Sequence, residues 1–342
     1  MKLLVTGGSG FIGSNLIRLI ISETNHKVLN LDKLTYASNS NNLNSISKSQ
    51  RYQFQKGDIG DKSLVKDIFQ NFKPDRVINL AAESHVDNSI KNPNNFIQTN
   101  IIGTYNLLET SRAYWEDKSR GIKDFYIHHV STDEVFGSME DNTLFTEESP
   151  YKPNSPYSAS KASSDHLVRA WNKTYGLPTI ISNCSNNYGP YQFPEKLIPL
   201  TISCCLRGAK IPIYGNGLQI RDWLFVEDHS RALLKIISKG KIGNTYNIGS
   251  NSERNNLQVV NAICEILDKS IQNKPEQLTT FKKLICFVDD RPGHDKRYGI
   301  DASKIRKELE WEPKISFENG LELTVDWYLK NRDWLESSDL IN

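Results

Sequence analysis

The chain has 342 residues, 38% of them hydrophobic, enough to bury one large two-lobed unit or two modest domains. Its 42 basic residues nearly cancel its 40 acidic ones, leaving +2, and no block of like charge dominates any segment, so nucleic acid is not an expected partner. The run Leu3-Leu4-Val5 is too short for a signal-peptide core and no later stretch is long enough to span a bilayer, so a cytoplasmic protein with no membrane partner is expected.

The first strand is expected at Lys2 to Thr6. It runs directly into Thr6-Gly7-Gly8-Ser9-Gly10-Phe11-Ile12-Gly13, which opens an apolar helix through Leu16, Ile17 and Ile20. Gly7, Gly10 and Gly13 let the backbone turn tightly and approach a pyrophosphate, which then meets the unpaired N–H groups of the helix N-terminus. A second strand, Lys27 to Asp32, ends on a carboxylate near the spacing of about 20 residues at which an acid accepts the ribose hydroxyls of a dinucleotide. Asp32 repels a 2′-phosphate and so favours NAD over NADP, although Lys33 beside it weakens that preference. A glycine turn with a capping aspartate is the plainer alternative; the strand before and the helix after favour the dinucleotide. The Ser/Asn-rich stretch Ser38 to Gln50 reads as an ordered surface excursion. Strands follow at Tyr52 to Lys56 and Arg76 to Ala81. Asp58-Ile59 and Leu80-Ala81-Ala82 then lie at strand C-terminal ends, where such sheets bind ligands, and complete an adenine and ribose rim.

Between Asn95 and Trp115, apolar residues at Ile97, Ile101, Tyr105 and Leu108 recur at helical spacing, with Asn94 and Asn95 available as caps. A strand from Phe125 to Ser131 ends in Ser131-Thr132-Asp133-Glu134. Two adjacent acids there are either solvated turn residues or, in a closed pocket, a pair that cannot ionise together, so that one keeps a proton while the other is a base. Elimination of water needs that pairing: a base for a carbon-bound proton and an acid for the departing hydroxyl. Ser155 caps a helix that begins at Pro156, and Tyr157 and Lys161, four apart, share one face of it. A nearby ammonium lowers the pKa of a phenol and lets it take a hydroxyl proton while hydride leaves the same carbon; the same spacing also arises on solvated helices.

Thr179 to Cys184 is a further strand, so the first half reads as an α/β fold, a Rossmann-type doubly wound parallel sheet. Past about residue 185 the alternation breaks at Asn187-Tyr188-Gly189-Pro190 and Tyr214-Gly215-Asn216-Gly217, which predicts a smaller C-terminal substrate-binding lobe. A helix from Glu227 to Ser238 and a strand from Thr245 to Ile248 return once to the first lobe. The expected division is 1–185 and 223–250 for the dinucleotide, and 186–222 and 251–342 for the substrate. In the second lobe arginine forks with a lysine match a diphosphate; scattered surface cations are the alternative. The cysteines at 184, 204, 205, 264 and 286 lack both C-x-x-C spacing and an even disulfide framework, so no metal is expected and Cys204-Cys205 reads as core.

Eight runs carry a resemblance that covers nearly the whole chain: TGGSGFIG from Thr6, LDKLTYA from Leu31, LAAESHVD from Leu80, STDEVFG from Ser131, SPYSASKASSDHLVRAW from Ser155, NCSNNYGPYQFPEKLIP from Asn183, QIRDWLFVEDH from Gln219 and DRPGHDKRY from Asp290. The sequence resembles the extended short-chain dehydrogenase/reductases, and within them the sugar-nucleotide 4,6-dehydratases of the dTDP-glucose type. The resemblance implies NAD as cofactor, a nucleotide-sugar substrate and a homodimer, with the helices near Asn95 and Pro156 as its candidate interface. It implies that Tyr157 is the base for the sugar 4-hydroxyl, with Thr132 hydrogen-bonding there, that Lys161 tunes Tyr157 and holds the nicotinamide ribose, and that Asp133 is the acid and Glu134 the base of the elimination.

For the cofactor the resemblance implies Gly7, Gly10, Phe11, Ile12, Gly13, Asp32, Lys33, Leu34, Thr35, Asp58, Ile59, Leu80, Ala81, Ala82, Ser84, Thr99 and Asn187 beside Tyr157 and Lys161. For the substrate it implies Ser84, Thr132, Asn186, Lys196, Leu197, Pro212, Tyr214, Arg221, Asn256, Arg291 and His294, with Arg221 and Arg291 at the pyrophosphate. His85 is as much a loop histidine as a ligand. Phe136 departs from the tyrosine usual in this family and is expected to remove one hydrogen bond near the acids. The rivals are a UDP-glucose 4,6-dehydratase, a sugar-nucleotide epimerase, which needs Tyr157 and Lys161 but no acid pair, and a non-catalytic NAD-sensing protein on the same fold.

Overall fold

Short β-branched runs alternating with amphipathic helices stack into a parallel sheet covered on both faces. The computed structural model describes residues 1–117, 124–139, 143–275 and 278–339. In chain order the strands are β1 (Lys2–Thr6), β2 (Lys27–Asp32), β3 (Tyr52–Lys56), β4 (Arg76–Asn79), β5 (Tyr126–Thr132), β6 (Thr179–Cys184), β7 (Asn186–Tyr188), β8 (Ile211–Tyr214), β9 (Ile220–Phe225), β10 (Thr245–Ile248), β11 (Glu253–Asn255) and β12 (Ile285–Val288). The helices are α1 (Phe11–Glu23), α2 (Lys62–Phe72), α3 (Val86–Lys91), α4 (Pro93–Phe96), α5 (Thr104–Glu116), α6 (Pro156–Tyr175), α7 (Leu197–Arg207), α8 (Val226–Lys239), α9 (Asn256–Ser270), α10 (Ser303–Leu309), α11 (Phe317–Lys330) and α12 (Arg332–Asp339). Seven strands pair in the order β10-β6-β5-β4-β1-β2-β3, every pair parallel. The reversal of order between β4 and β1, and the shared C-terminal edge of the strands, open the crevice in which such sheets hold ligands.

The period of two along β1 builds both faces. Leu3 and Val5 join Ile17, Ile20, Leu233, Ile236 and Tyr246 on one side, while Leu4 joins Leu29, Val65, Phe69, Val77 and Leu107 on the other. Each such side chain, fully buried, contributes roughly 1.5–3 kcal/mol of transfer free energy. A third core lies in the smaller half, where Tyr188, Ile202, Cys204, Cys205, Val260, Cys264, Phe281, Phe317 and Tyr328 pack together; Cys204 and Cys205 are core residues as expected. No described helix is long and apolar enough to cross a membrane.

The structure differs from the sequence reading at identifiable points. β4 stops at Asn79: Leu80 N makes the last ladder bond, to Thr6 O at 3.1 Å, and Ala81 N then donates to the Thr6 hydroxyl at 3.3 Å instead of to backbone. The helix expected from Asn95 begins at Pro93, whose missing N–H suits the first turn, so Asn94 and Asn95 lie inside it and Asn92 precedes it. Between α4 and α5, Ile97–Gly103 is π-helical. Side chains from outside claim its polar groups: Ser164 Oγ donates to Asn100 O at 2.6 Å, and Asn100 Nδ2 donates to Glu83 O and to Ser160 Oγ. The excursion after β2 is ordered, with a 3₁₀ turn at Ser40–Ile46 held by Arg18 Nη1 donating to Asn42 O at 2.6 Å.

The expected boundary at 223 cuts a strand, since the whole of β9 pairs with β7 and β11 rather than with the large sheet. The chain also returns to the sheet a second time. Ile305 and Leu309 on α10, with Trp311, pack into the core around Leu233, and Trp311 Nε1 donates to Asp228 O at 3.0 Å.

Candidate active site

The glycine loop is shaped by close approach. At Gly7 (φ 69°) a Cβ would stand 2.7 Å from Ala81 N, and at Gly13 it would overlap Gly7 O and lie 2.7 Å from Gly8 Cα. Gly10 differs: its Cβ would meet only Gly7 O at 3.4 Å and would project into the open cleft that Gly10 lines. Gly10 also caps α1 without a side-chain bond, leaving first-turn N–H groups to an anion. Beside this cradle Asp32 is held by backbone N–H groups of Ser9 and Leu34, each at 2.8 Å. Burial raises its pKa and these bonds oppose the rise. Lys33 is paired with Asp58 at 2.7 Å, which engages the cation that weakened the case for NAD. These features fit NAD: a cradle that a side chain would fill, free helix N–H groups, and a fixed carboxylate at the end of β2.

The reactive groups converge at the ends of β5 and β6. Asp133 (1% exposed) has no partner for Oδ2, and its Oδ1 accepts from Thr132 Oγ1 at 3.3 Å. Burial, with Glu134 and Asp222 nearby, pushes its carboxyl well above the usual range against the opposing charge of Arg221, which favours the protonated form. Burial also raises Glu134, but Arg291, Arg221 and Lys196 pull it back. The pair is therefore unequal: Asp133 has two acids beside it and Arg221 opposing them, whereas Glu134 has Arg291, Arg221 and Lys196 against Asp295. Tyr157 is buried beside them, and burial and Glu134 push its phenol well up while Thr132 pulls it down. Lys161, which the sequence reading expects to lower it, lies one turn along the same buried helix face. Lys161 Nζ donates to Val130 O at 2.9 Å, and burial lowers its own pKa.

One cleft gathers all five expected catalytic residues, Thr132, Asp133, Glu134, Tyr157 and Lys161. It also gathers every expected cofactor residue except Leu34, whose contribution is the backbone bond to Asp32. Of the expected substrate residues, Ser84, Thr132, Asn186 and Lys196 line it, and Lys196 Nζ donates to Ser84 O at 2.9 Å across its mouth. The rest stand behind or beyond this wall. Leu197 opens α7, Pro212 and Tyr214 lie on β8, Arg221 on β9 and Asn256 at the start of α9.

Arg221 is buried, its guanidinium 4.3 Å from the centre of the Tyr298 ring and donating to Ile220 O and Asp295 O. Arg291 Nη1 and Tyr214 Oη both reach Asp87, at 3.3 and 2.8 Å. His294 is bonded to Asp290 at 2.6 Å, and burial lowers its pKa. His85 Nδ1 accepts from Asn88 N and so caps α3, a satisfied loop histidine. Phe136 corrects another expectation. It does not face the acids but stacks on Phe145 at 5.1 Å and meets Tyr151 edge-on in a small apolar cluster.

Sequence reasoning missed Cys184, Gln192, Phe193 and Glu195 in the cleft wall. The last three belong to the run Tyr191-Gln192-Phe193-Pro194-Glu195-Lys196, where Tyr191 (φ 69°) bends the loop back over the cleft. That conformation carries no sequence signature, because tyrosine is not a residue that announces a left-handed turn.

Residues 4–324 match the family model described as GDP-mannose 4,6 dehydratase. A dTDP-glucose 4,6-dehydratase of Escherichia coli is 56% identical over 344 residues, covering 98% of this chain and 95% of that protein. The crystal structure of the Bacillus anthracis dTDP-glucose 4,6-dehydratase in complex with NAD superposes with a TM-score of 0.87 at 45% identity, covering 99% of each chain. A UDP-glucose 4-epimerase of Thermotoga maritima superposes with a TM-score of 0.84 at 30% identity, over 97% of this chain and 100% of that one. Epimerase and dehydratase thus share the fold, and the unequal acid pair sides with the dehydratases. With more than half of its sequence identical to a 4,6-dehydratase over nearly full length, the chain belongs to the dTDP-glucose 4,6-dehydratase family.

Proposed function

We propose that the protein converts dTDP-glucose to dTDP-4-keto-6-deoxyglucose and water, with NAD as a cofactor regenerated in each turnover. The observation that carries this reading is the pair of adjacent carboxyls in the same cleft as Tyr157 and Lys161: burial and like charge push Asp133 well up, while Arg291, Arg221 and Lys196 oppose the smaller rise of Glu134. NAD, when bound, supplies the removal of hydride from C4 of the sugar and its return at C6. Gly7, Gly10 and Gly13 would cradle its pyrophosphate, Asp32 its adenosine ribose, and Lys161 the ribose next to the nicotinamide. Tyr157 Oη takes the proton of the 4-hydroxyl, with Thr132 Oγ1 orienting that hydroxyl. The resulting 4-ketone acidifies the hydrogen on C5, which a Glu134 carboxylate oxygen removes. Asp133 gives its proton to the C6 hydroxyl as it departs as water, and Glu134 returns a proton to C5.

Arg221, Arg291 and Lys196 are assigned to the diphosphate, with Asn186, Leu197, Pro212, Tyr214, Asn256 and His294 around the nucleotide. Residues up to Ser185, with α8, β10 and α10, would form the cofactor lobe and the remainder the sugar-nucleotide lobe. A cytoplasmic homodimer fits the absence of a long apolar helix among the described residues. It also fits the exposed Ile97, Ile102 and Tyr105 along the Pro93 to Glu116 helical run.

Incubation with dTDP-glucose, UDP-glucose and GDP-mannose, followed by mass spectrometry, tests the reading. Loss of one water from dTDP-glucose is expected. An isomeric product of unchanged mass would favour the epimerase, and preferential dehydration of UDP-glucose would move the base assignment.

A further inference from the structure

α6 buries Tyr157, Lys161 and Asp165 at successive intervals of four, so the three share one face. The first two face the cleft. Asp165 lies one turn behind them, fully buried, and has no place in the reaction as written. Its surroundings are nonetheless elaborate. Oδ2 accepts from Tyr151 Oη at 2.9 Å and from Asn183 Nδ2 at 3.3 Å, and Oδ1 stands 3.3 Å from His129 Nε2. Arg169 Nη2 in turn donates to Tyr151 Oη at 2.8 Å. Asn183 Nδ2 also donates to Thr132 O at 3.0 Å, which ties the same carboxylate to the backbone of a cleft residue.

We propose that Asp165 is a positioning residue of the reaction: it is the buried counter-charge that keeps Lys161 protonated beside Tyr157, and through Asn183 it fixes the backbone of Thr132. The inference rests on the functional reading above. A buried ammonium is expensive unless a negative charge faces it, and a backbone carbonyl alone is a weak substitute. Lys161 Nζ has the Val130 carbonyl, and the carboxyl nearest along its own helix is Asp165. Asp133 is less suited to the part, because burial and its acidic neighbours favour its neutral form.

The directions of the shifts agree. Burial lowers Lys161, and Asp165 is the leading group that raises it again. Burial raises Asp165, but His129 at 3.3 Å, the charge of Lys161 and the Tyr151 hydrogen bond bring it below its ordinary value, which favours the carboxylate. The other titratable groups around the pair are His129 on β5, Asp133 and Glu134 just past β5, Cys184 on β6, Tyr157 and Arg169 on α6, and Tyr151 ahead of α6. The π-helical turn packed against α6 contributes the neutral Asn100.

A purely structural hub would make many of the same bonds, so the test must read charge. In the full-length, NAD-loaded protein, kcat and KM for dTDP-glucose are measured across pH for the wild type, Asp165→Asn and Asp165→Glu, together with thermal midpoints. Removing the counter-charge lowers the pKa of Lys161, so activity that needs the ammonium is lost at lower pH. The alkaline limb of kcat in Asp165→Asn moves down by about one pH unit or more, a fall of roughly tenfold on that limb, with a much smaller loss at acid pH and KM little changed. Asp165→Glu restores the position of the limb even where its thermal midpoint is lower.

If Asp165→Asn does not fold, Asp165→Ser, which leaves room for a water between Asn183 and His129, carries the same comparison. An alkaline limb that stays in place while kcat falls equally at every pH overturns the proposal. So does failure of both neutral variants to fold, since the residue would then serve the fold rather than the charge of Lys161. Wild-type turnover in the same assay reports on the function, and only the difference between profiles reports on Asp165.

Discussion

Asp133→Asn should cost the protein activity and increase its stability, by an amount that depends on pH. The carboxyl is 1% exposed, leaves Oδ2 without a partner, and stands near Glu134 and Asp222. Its folded pKa lies well above the ordinary 3.8, so over the interval between the two values the folded chain holds a proton that the unfolded chain has released. In that interval stability falls as pH rises, by about 1.4 kcal/mol per pH unit. The amide of the variant binds no such proton, so the variant gains on the wild type at the same slope. With an unfolding entropy of about 2.1 cal/mol/K for each of 342 residues, the total is about 0.7 kcal/mol/K, and the slope becomes about 2 °C per pH unit. Thermal unfolding followed by circular dichroism on both NAD-loaded proteins, from the ordinary carboxylate range upward, reads this directly against the linkage relation. Turnover should fall by about 100-fold or more, as for loss of a general acid. A difference in thermal midpoint that is the same at every pH would mean that Asp133 ionises as an ordinary carboxylate, and the assignment of the departing hydroxyl's proton to it would fail.

Four further outcomes follow from the same geometry. Asp32→Ala should narrow the preference for NAD over NADP by up to about 3 kcal/mol, the repulsion between unit charges about 5 Å apart at an effective dielectric near 20, and equal affinities in the wild type would refute the role of Asp32. Gly10→Ala should weaken NAD binding with little change in the cofactor-free thermal midpoint, whereas Gly13→Ala, whose Cβ would overlap Gly7 O, should destabilise the fold by about 1–3 kcal/mol; similar effects at both positions would contradict the cradle. Arg221→Ala should weaken dTDP binding by about 2 kcal/mol, roughly 30-fold by calorimetry, and an unchanged dissociation constant would remove Arg221 from the diphosphate site. Tyr157→Phe should leave bound cofactor oxidised on mixing with substrate, while the double variant Asp133→Asn, Glu134→Gln should accumulate its reduced form. Stopped-flow absorbance without that signal in the double variant would refute the separation of roles.

The sheet was legible because its cause is local. β1, β2, β3, β6 and β10 fall at the residues read from sequence, β3 as an alternating Tyr-Gln-Phe-Gln-Lys segment and the others as largely apolar runs. The cofactor cradle was legible for the same reason, since Gly7, Gly10, Gly13 and Asp32 act through backbone geometry at fixed spacing. What escaped depends on distant partners. Nothing near Ile305 announces that α10 packs back on Leu233, and nothing in Ile97–Gly103 shows that Ser164 and Ser160, about 60 residues on, satisfy the polar groups of a π-helical turn. Phe136 was misplaced because adjacency to Asp133 and Glu134 says nothing of direction within a tight 3₁₀ turn, where the ring swings into the apolar cluster instead. Arg221 and Arg291 were matched to a diphosphate and His294 to the nucleotide sugar, while their present partners, Asp295 O, Asp87 and Asp290, could be found only in three dimensions.

Those partners bear on how one cleft keeps two adjacent carboxyls in different states. Asp133 and Glu134 share a backbone turn and similar burial, so burial alone would raise both and leave neither as a base at neutral pH. The second lobe breaks the symmetry, because Arg291, Arg221 and Lys196 oppose the rise at Glu134, whereas Asp133 has Glu134 and Asp222 beside it and Arg221 alone of the three cations opposing them. The proposed diphosphate would meet the same three cations. Binding of its negative charge offsets the field that holds Glu134 down, so the carboxylate becomes a stronger base when a substrate occupies the cleft. In the empty cleft the opposite holds: Glu134 is relieved by the cations, and the enzyme avoids burying two unpaired acids. On the proposed assignment, the charges that recognise the nucleotide and the charges that poise the elimination are the same, so a substitution at Arg221 or Arg291 is expected to alter the affinity for the nucleotide and the basicity of Glu134 together.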